Sequence, residues 1–280
     1  MAINNFQQTI WSKLIQTQLD TLTSLKDHSD YSFDGDIKMA EKVKILGVVR
    51  PSISTYIPGT PLSREAGADS SQFLEIDQFR YFDFEVDDVE AVQSVPGLIE
   101  NLSLEASKGL VEEADEYIAT IVVAEVTAGN IAKATSADVS GLTSTTGPAL
   151  LEGAFQALYD NNCKVSDNFF LEVTPEMYTK IRSFIVSLDT NNSELIKKGF
   201  VGHYNNALVS IENKLGTWHD GTRNTKLGML RTSKAIAFAG QLEKVEAYRP
   251  QDAFSDAIKG LYVFGAKVVR PEQIYVLPLY

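Results

Sequence analysis

The stretch Gly-Phe-Val-Gly-His-Tyr-Asn-Asn-Ala-Leu-Val-Ser-Ile-Glu-Asn-Lys-Leu occupies residues 199–215. Two glycines enclose an apolar pair, a turn follows, and Leu208–Ile211 has the apolar character of a short strand. Short strands of this kind, set among helical patterns, predict an α+β fold for this part of the chain.

Further short strands and two helices are predicted around that stretch. Phe169 to Val173 is a short buried strand, and a helix begins after the cap residue Thr174. Another helix starts at Pro148 and ends at Asn161-Asn162. The remaining strands are predicted near 235–238, 261–269 and 274–279.

A long helix precedes this mixed region. After Pro96 the apolar residues recur at helical spacing until about Ala128, and Gly129-Asn130 is a plausible end. At about 1.5 Å per residue such a helix is about 50 Å long, which predicts a main structural strut.

The N-terminal third has a different pattern. Residues 4–27 predict a helix whose apolar face includes Trp11 and Leu14, and a polar turn separates it from the rest of the chain. That face must dock either on the subunit's own core or on another surface.

A long hairpin is predicted next. Residues 42–57 form one strand and Phe73 to Val86 the returning strand, around a polar tip that contains Arg64 and Glu65. On the returning strand Phe82, Phe84 and Val86 share one face. A 15-residue arm would reach about 50 Å, so it either wraps around its own body or projects beyond it.

Composition restricts the function classes. The formal charge is −12, which argues against tight binding to nucleic acid or to an anionic membrane. No apolar run has the length of a membrane span, and the first residues lack the features of a signal peptide. The single cysteine, Cys163, permits no internal disulfide.

Residues with catalytic chemistry are scattered. His28, His203 and His219 lie far apart in sequence, so we expect no metal site, and no nucleotide-binding or zinc motif is present. Asp87 and Asp88 precede the long helix, where acids favour the helix dipole. Cys163 has no nearby histidine. The sequence therefore predicts no catalytic residue, cofactor or metal.

The segment 199–215 resembles a segment common in major capsid proteins of tailed bacteriophages. Residues 234–249 (Lys-Ala-Ile-Ala-Phe-Ala-Gly-Gln-Leu-Glu-Lys-Val-Glu-Ala-Tyr-Arg) and 253–271 (Ala-Phe-Ser-Asp-Ala-Ile-Lys-Gly-Leu-Tyr-Val-Phe-Gly-Ala-Lys-Val-Val-Arg-Pro) look like the closing strands of the same proteins. The order of arm, hairpin, long helix and mixed domain resembles the Hong Kong 97-type capsid fold, and within it the coat proteins grouped with phage P22.

The resemblance implies a domain organisation. The expected parts are an N-terminal arm (1–34), an extended β-hairpin loop (35–87), a peripheral domain with the spine helix (88–133), an axial domain (134–239) and closing strands of the peripheral domain (240–280).

It also implies partners. Copies of the chain would form hexamers and pentamers of an icosahedral virion shell that encloses double-stranded DNA without sequence-specific binding. Portal, scaffolding or decoration proteins are further potential partners, and no membrane is expected. Assembly would take place in the bacterial cytoplasm. Lys38, Lys42 and Lys44 lie at the base of the hairpin, so the cross-linking chemistry of one member of the fold is not carried over.

The residues expected to contact neighbouring subunits are Trp11, Leu14, Arg64, Glu65, Arg80 and Phe82. Three alternatives remain open at this point. The first is an encapsulin-type bacterial compartment shell, which shares the fold. The second is a ligand-binding module that uses the Trp218 loop. The third is a hydrolase that uses Asp87, Asp88 or His219.

Overall fold

The computed structural model describes residues 25–32, 42–45, 53, 55, 71–87, 98–164, 166–188, 202–251 and 254–280. None of the helices in these ranges is long and apolar enough to cross a membrane. The helices are α1 (Leu98–Ala128), α2 (Thr146–Asp160) and α3 (Pro175–Leu188). The strands are β1 (Lys42–Ile45), β2 (Gln72–Glu75), β3 (Gln78–Asp87), β4 (Ala132–Lys133), β5 (Phe169–Val173), β6 (His203–Tyr204), β7 (Ala207–Ile211), β8 (Thr217–His219), β9 (Asn224–Thr232), β10 (Ile236–Tyr248), β11 (Ser255–Val268) and β12 (Ile274–Leu279).

These strands form three sheets. The antiparallel sheet β10-β11-β3 has β11 at its centre. A seven-stranded mixed sheet runs β4-β12-β9-β5-β7-β6, with β8 paired to β9. Strands β1 and β2 form a small antiparallel pair. The α+β class predicted from the sequence is therefore confirmed.

Helix α1 is the predicted long strut. It ends as expected, because Gly129 adopts a φ of 80° and the Asn130 N–H donates to the carbonyl of Glu125 at 3.0 Å. Its buried stripe contains Leu110, Ile118 and Val122, as the periodicity predicts. The stripe also contains polar residues that periodicity does not single out, namely Ser103, Ser107 and Asp115.

The seven-stranded sheet separates two hydrophobic cores. Alternate residues of β9 point to opposite sides, so that Met229 joins the core shared with α1, β10 and β11, while Leu230 joins the core shared with α2 and α3. A third, smaller core lies between the β1–β2 pair and the outer face of β10 and β11. Most of the chain is therefore organised around α1 and the two large sheets.

The predicted returning strand, Phe73 to Val86, is wrong as a single element. It is divided at Ile76-Asp77 into β2, which pairs with β1, and β3, which pairs with β11. Strand β3 therefore belongs to a sheet completed by residues near the C-terminus. The physical reason is burial: alternating Phe82, Phe84 and Val86 pack toward the core beneath β11.

The stretch 199–215 folds largely as its pattern predicts. Asn205 and Asn206 both adopt positive φ, 43° and 71°, and join β6 to β7 in a two-residue turn. Strand β7 then runs parallel to β5. Strand β9, which pairs with β5 and β12 at the centre of the sheet, is a strand that the sequence analysis did not predict.

Candidate assembly surfaces

One face of the β10-β11-β3 sheet covers α1, and the other carries exposed aromatic side chains. Phe79 and Tyr81 of β3 are 60% and 78% exposed. They point away from α1 because they alternate with Arg80 and Phe82 along the strand. Large exposed aromatic residues grouped on one strand are typical of protein contact surfaces.

A shallow hollow of about 340 Å³ lies beside Tyr81 on the same face. Leu261 and Gly260 of β11 contribute to its lining. Asp83, Glu246 and Lys259 surround them, and Lys259 lies 3.3 Å from Glu246. An apolar surface beside charges of both signs suits a protein segment. We refer to Phe79, Tyr81 and this hollow as the outer sheet face.

The predicted contact residues Arg80 and Phe82 lie on the opposite, inner face of β3. The Arg80 Nε donates to Glu113 of α1 at 3.0 Å, and Phe82 is half-buried against the core. Phe82 lies directly over Gly260, where a side chain would collide with its ring. Contact of these two residues with another subunit stays a prediction.

The other predicted contacts, Trp11, Leu14, Arg64 and Glu65, lie outside the described residues. Sequence reasoning missed Phe79 and Tyr81, although the signal was present. In Gln-Phe-Arg-Tyr-Phe-Asp-Phe-Glu-Val-Asp (78–87) the face opposite Phe82 carries two aromatics before its acids begin. An aromatic pair on the polar face of a strand is the feature that indicates a contact surface.

The β1–β2 pair, the base of the predicted loop, is held closely against β11. Gly265 faces the carbonyl of Glu75, and a methyl group built at Gly265 would overlap that oxygen. The Gln72 side-chain amide donates to the Val269 carbonyl at 3.2 Å, and the Lys267 ammonium donates to the Phe73 carbonyl at 2.9 Å. The chain therefore enters and leaves the loop at a fixed place.

A second feature lies where the two large cores meet. Residues 25–31, here called the strap, cross this junction, with Leu25 in the first core. The Asp30 N–H donates to the Ile236 carbonyl, and the Phe238 N–H donates to the Asp30 carbonyl, so the strap is bonded to β10.

Arg231 of β9 is the centre of this junction and is fully buried. Its Nε and Nη2 donate to the two carboxylate oxygens of Glu172 at 2.9 and 2.7 Å. Its Nη1 and Nη2 also donate to the carbonyls of His28 and Leu25, and Nη1 to the hydroxyl of Ser29. Five bonds use all five N–H groups of the guanidinium.

Other ionisable groups surround that pair. The His28 Nδ1 lies 2.8 Å from Glu172, and the ring stacks on Phe170 at 4.0 Å. The Asp115 carboxylate of α1 accepts from the Lys26 N–H at 3.0 Å. Glu212, just after β7, is also buried. We call Lys26, His28, Asp115, Glu172, Glu212 and Arg231 the junction cluster.

The cluster shifts the pKa values of its carboxyl groups in both directions. Burial alone would raise the pKa of Glu172, but the charge of Arg231 and the hydrogen bonds from His28 and Arg231 outweigh it and hold the pKa below its usual value. Burial raises the pKa of Glu212 to about 8, and the nearby charges of Glu172 and Asp115 add to this. Burial raises the pKa of Asp115 to about 6, against the Lys26 hydrogen bond.

The residues considered for chemistry are separate. In the described residues no three His, Cys, Asp or Glu side chains are grouped to hold a metal ion. His219 bonds to Asn224 at 3.0 Å, and His203 lies on β6. Cys163 is buried, and this burial raises the pKa of its thiol, which disfavours the reactive thiolate. Asp87 ends β3 opposite Ser255, and Asp88 lies outside the described residues.

The Trp218 loop is a hairpin between β8 and β9. The hairpin turns at Asp220-Gly221, where Asp220 accepts from the N–H groups of Thr222 and Arg223. Trp218 packs partly against the first core, and the Lys133 ammonium lies 3.9 Å from the centre of its ring. The Trp218 ring therefore contacts both the core and Lys133, and it also lines a hollow of about 500 Å³.

Comparisons with known proteins agree with this architecture. A chain from Mycobacterium phage Che8 is 25% identical, with a TM-score of 0.74 over 91% of this chain and 90% of that chain. The capsid of cyanophage P-SCSP1u is 16% identical, with a TM-score of 0.67 over 87% and 85%. A virus-like particle from Pyrococcus furiosus is 13% identical, with a TM-score of 0.57 over 97% and 99%. Among curated proteins, none matches.

The β10-β11-β3 sheet and the seven-stranded sheet, both packed with the long helix α1, have the Hong Kong 97-like fold of phage capsid proteins. The sequence model of the phage capsid protein family matches residues 71–277. The chain therefore belongs to the phage capsid protein family and is a structural subunit of a virion shell. The encapsulin-type alternative is the weaker one, because the family model that matches the chain is that of phage capsid proteins.

Proposed function

We propose that the chain is the major capsid subunit of a tailed phage, and that its copies form hexamers and pentamers of an icosahedral shell around double-stranded DNA. The family match over residues 71–277 is the observation that carries this proposal. The net charge of −12 supports enclosure of DNA without sequence-specific binding, because phosphate contacts need clustered cations.

The proposed role is structural and not catalytic. It rests on family membership, since a shell subunit acts through contacts with its copies. The structure offers no support for the hydrolase alternative at the described candidates, because His219 is bonded to Asn224 and Asp87 lies within the β3–β11 ladder.

The proposed domain division keeps the ranges 1–34, 35–87, 88–133, 134–239 and 240–280. Two strand pairings cross the boundaries between these ranges. Strand β3 pairs with β11, and β12 pairs with β9. The range 35–87 thus contributes β3 to the β10-β11-β3 sheet, and the range 240–280 contributes β12 to the seven-stranded sheet.

Neighbouring subunits would meet on the outer sheet face. Phe79 and Tyr81 are the best supported contact residues because they are exposed, aromatic and next to the hollow at Leu261. The proposal also keeps the six residues expected from the sequence to contact a neighbouring subunit, namely Trp11, Leu14, Arg64, Glu65, Arg80 and Phe82.

Electron microscopy of the purified chain, alone and co-expressed with the neighbouring gene products, tests the proposal. We expect capsomers or closed shells. A monodisperse monomer at high concentration in both preparations would contradict it. Shells that take up a peptide-tagged cargo enzyme, and never appear as tailed DNA-filled heads, would instead favour the encapsulin alternative.

A further inference from the structure

The strap is attached to the body by side chains from three separate elements. Arg231 of β9 binds the carbonyls of Leu25 and His28, Asp115 of α1 binds the Lys26 N–H, and Glu172 of β5 binds the His28 ring. These elements belong to both sides of the junction between the cores. The position of the strap therefore depends on the junction cluster.

The cluster contains three carboxyl groups, and one oxygen of the third, Oε1 of Glu212, has no hydrogen-bond donor in the described part of the chain. Glu212 is 6% exposed. Arg231 has no N–H group left for it, because all five are used on Glu172 and the strap. A buried carboxylate in this position would be compensated only by the charge of Arg231 across space, without a hydrogen bond to its Oε1.

The charged groups that act on Glu212 come from three elements, β5, α1 and β9. Glu172 and Asp115 are acids, and Arg231 is the cation that acts on it. The charged or titratable groups of the strap are Lys26, Asp27, His28, Asp30 and Tyr31. Lys26 and Asp27 act on Asp115, and His28 acts on Glu172. A negative charge on Glu212 would therefore be added beside two other acids, whereas the protonated acid is neutral and can itself donate.

We propose that residues 25–31 are a latched strap, and that ionisation of the buried Glu212 opens the latch. Opening lifts the strap from Arg231. Protonated Glu212 keeps the strap in the junction. The latch is a property of the single subunit and does not depend on assembly.

The direction of the pH effect follows from proton linkage. The pKa of Glu212 is about 8 in the closed state and has the ordinary glutamate value of 4.5 when the strap is open. Opening therefore releases a proton, and the opening equilibrium rises with pH between those two values and levels off above about 8. One proton gives at most about a tenfold rise per pH unit. Asp115 has a pKa of about 6 and acts in the same direction, but mostly at pH values below 6.

Trypsin cleavage after Lys26 tests the proposal in the full-length chain. Lys26 is buried in the closed strap, so cleavage needs local opening. The rate is measured from pH 6.5 to 9 by mass spectrometry of the product and divided by the rate for a small peptide substrate at each pH. We expect the wild-type ratio to rise several-fold up to about pH 8 and then to level off.

Glu212→Gln keeps the shape of the protonated acid, and its ratio should stay low and flat across the range. The control Glu152→Gln, at an exposed position of α2, should behave as the wild type. A flat wild-type ratio would overturn the proposal without any variant. A rise that persists in Glu212→Gln, or that disappears only in His28→Gln, would overturn it by assigning the effect to another group.

Discussion

At the scale of single residues, Arg231 shows how one buried charge can organise distant parts of the chain. It is fully buried, yet it joins β5 to the strap, 59 and over 200 residues away in sequence. A buried ion pair contributes little net stability when both partners are desolvated, but removing one partner leaves the other uncompensated. We therefore expect the Arg231–Glu172 pair to fix the position of the strap more than it adds to net stability.

Replacing Arg231 by Met should destabilise the subunit strongly. It leaves the Glu172 carboxylate buried beside Glu212 and removes the donors to Leu25 and His28. We expect a loss of about 3–5 kcal/mol in the free energy of unfolding, measured by urea denaturation at pH 7. Arg223→Met, which removes an exposed cation over the Tyr280 ring, is the matched control and should cost under 1 kcal/mol, roughly.

The double variant Arg231→Met, Glu172→Gln separates the causes. If the uncompensated charge dominates, the double variant should be more stable than Arg231→Met alone. Equal loss in the single and double variants would show that the bonds to the strap, and not the charge of Glu172, account for the effect.

The same pair predicts an acid limit of stability. Because the folded pKa of Glu172 lies below its ordinary value of 4.5, its stabilisation is present above that pH and is lost as the pH falls through the folded pKa. We expect the melting temperature of Glu172→Gln to lie below that of the wild type at pH 7, and the difference to shrink at pH values under about 4. A difference that is constant from pH 7 to pH 3 would contradict this.

At the scale of elements, the local sequence pattern predicted an element well where the signal lies within that element. Helix α1, its end at Gly129, the cap at Thr174 and strand β12 follow from periodicity and capping. The division between β2 and β3 does not, because alternation continues through Ile76 and only the choice of partner changes. Strand β9 carries the charged Arg231 at a buried position, which hides it from a search for apolar alternation.

The candidate site was predicted less well, and for a physical reason. Buried acids such as Asp115 and Glu212 look like ordinary surface residues in sequence, since their burial depends on elements far away. The outer sheet face could have been found from Phe79 and Tyr81, whereas its hollow needs the pairing of β3 with β11.

The close contact between the β1–β2 pair and β11 predicts an effect of Gly265→Ala. The added methyl overlaps the Glu75 carbonyl, so β2 must shift from β11. We expect a cost of about 1–3 kcal/mol and faster hydrogen exchange confined to the amides of β1 and β2. Gly153→Ala, where nothing lies within 4 Å, should be neutral or slightly stabilising in helix α2. Unchanged exchange in Gly265→Ala would show that the pair is not seated by this contact.

At the scale of the whole molecule, assembly and folding should be separable. The double substitution Phe79→Ser, Tyr81→Ser changes exposed residues only, so we expect an unchanged melting temperature but few or no shells by electron microscopy. Tyr280→Ser, at an exposed aromatic beyond β12, is the control and should assemble normally. Normal shells from the double variant would remove the outer sheet face as an interface.

Deletion of residues 56–70 tests the loop while β1 and β2 remain intact. The deletion stops before Gln72 because this residue pairs with Ile45 and bonds to Val269. We expect soluble, folded subunits that assemble poorly, measured by circular dichroism and sedimentation. Loss of the folded state would show that this segment belongs to the subunit's own core.

The central position of β11 in its sheet also limits when the subunit can fold during its synthesis on the ribosome. Both neighbours of β11, β3 and β10, are synthesised before it, and the register joins Asp87 to Ser255. Pairing across such a separation is slow and cannot begin until nearly the whole chain has emerged. A polypeptide cut short before residue 255 would lack the middle of this sheet and would present an incomplete surface to finished copies. We therefore expect prematurely terminated chains to be left out of the growing particle.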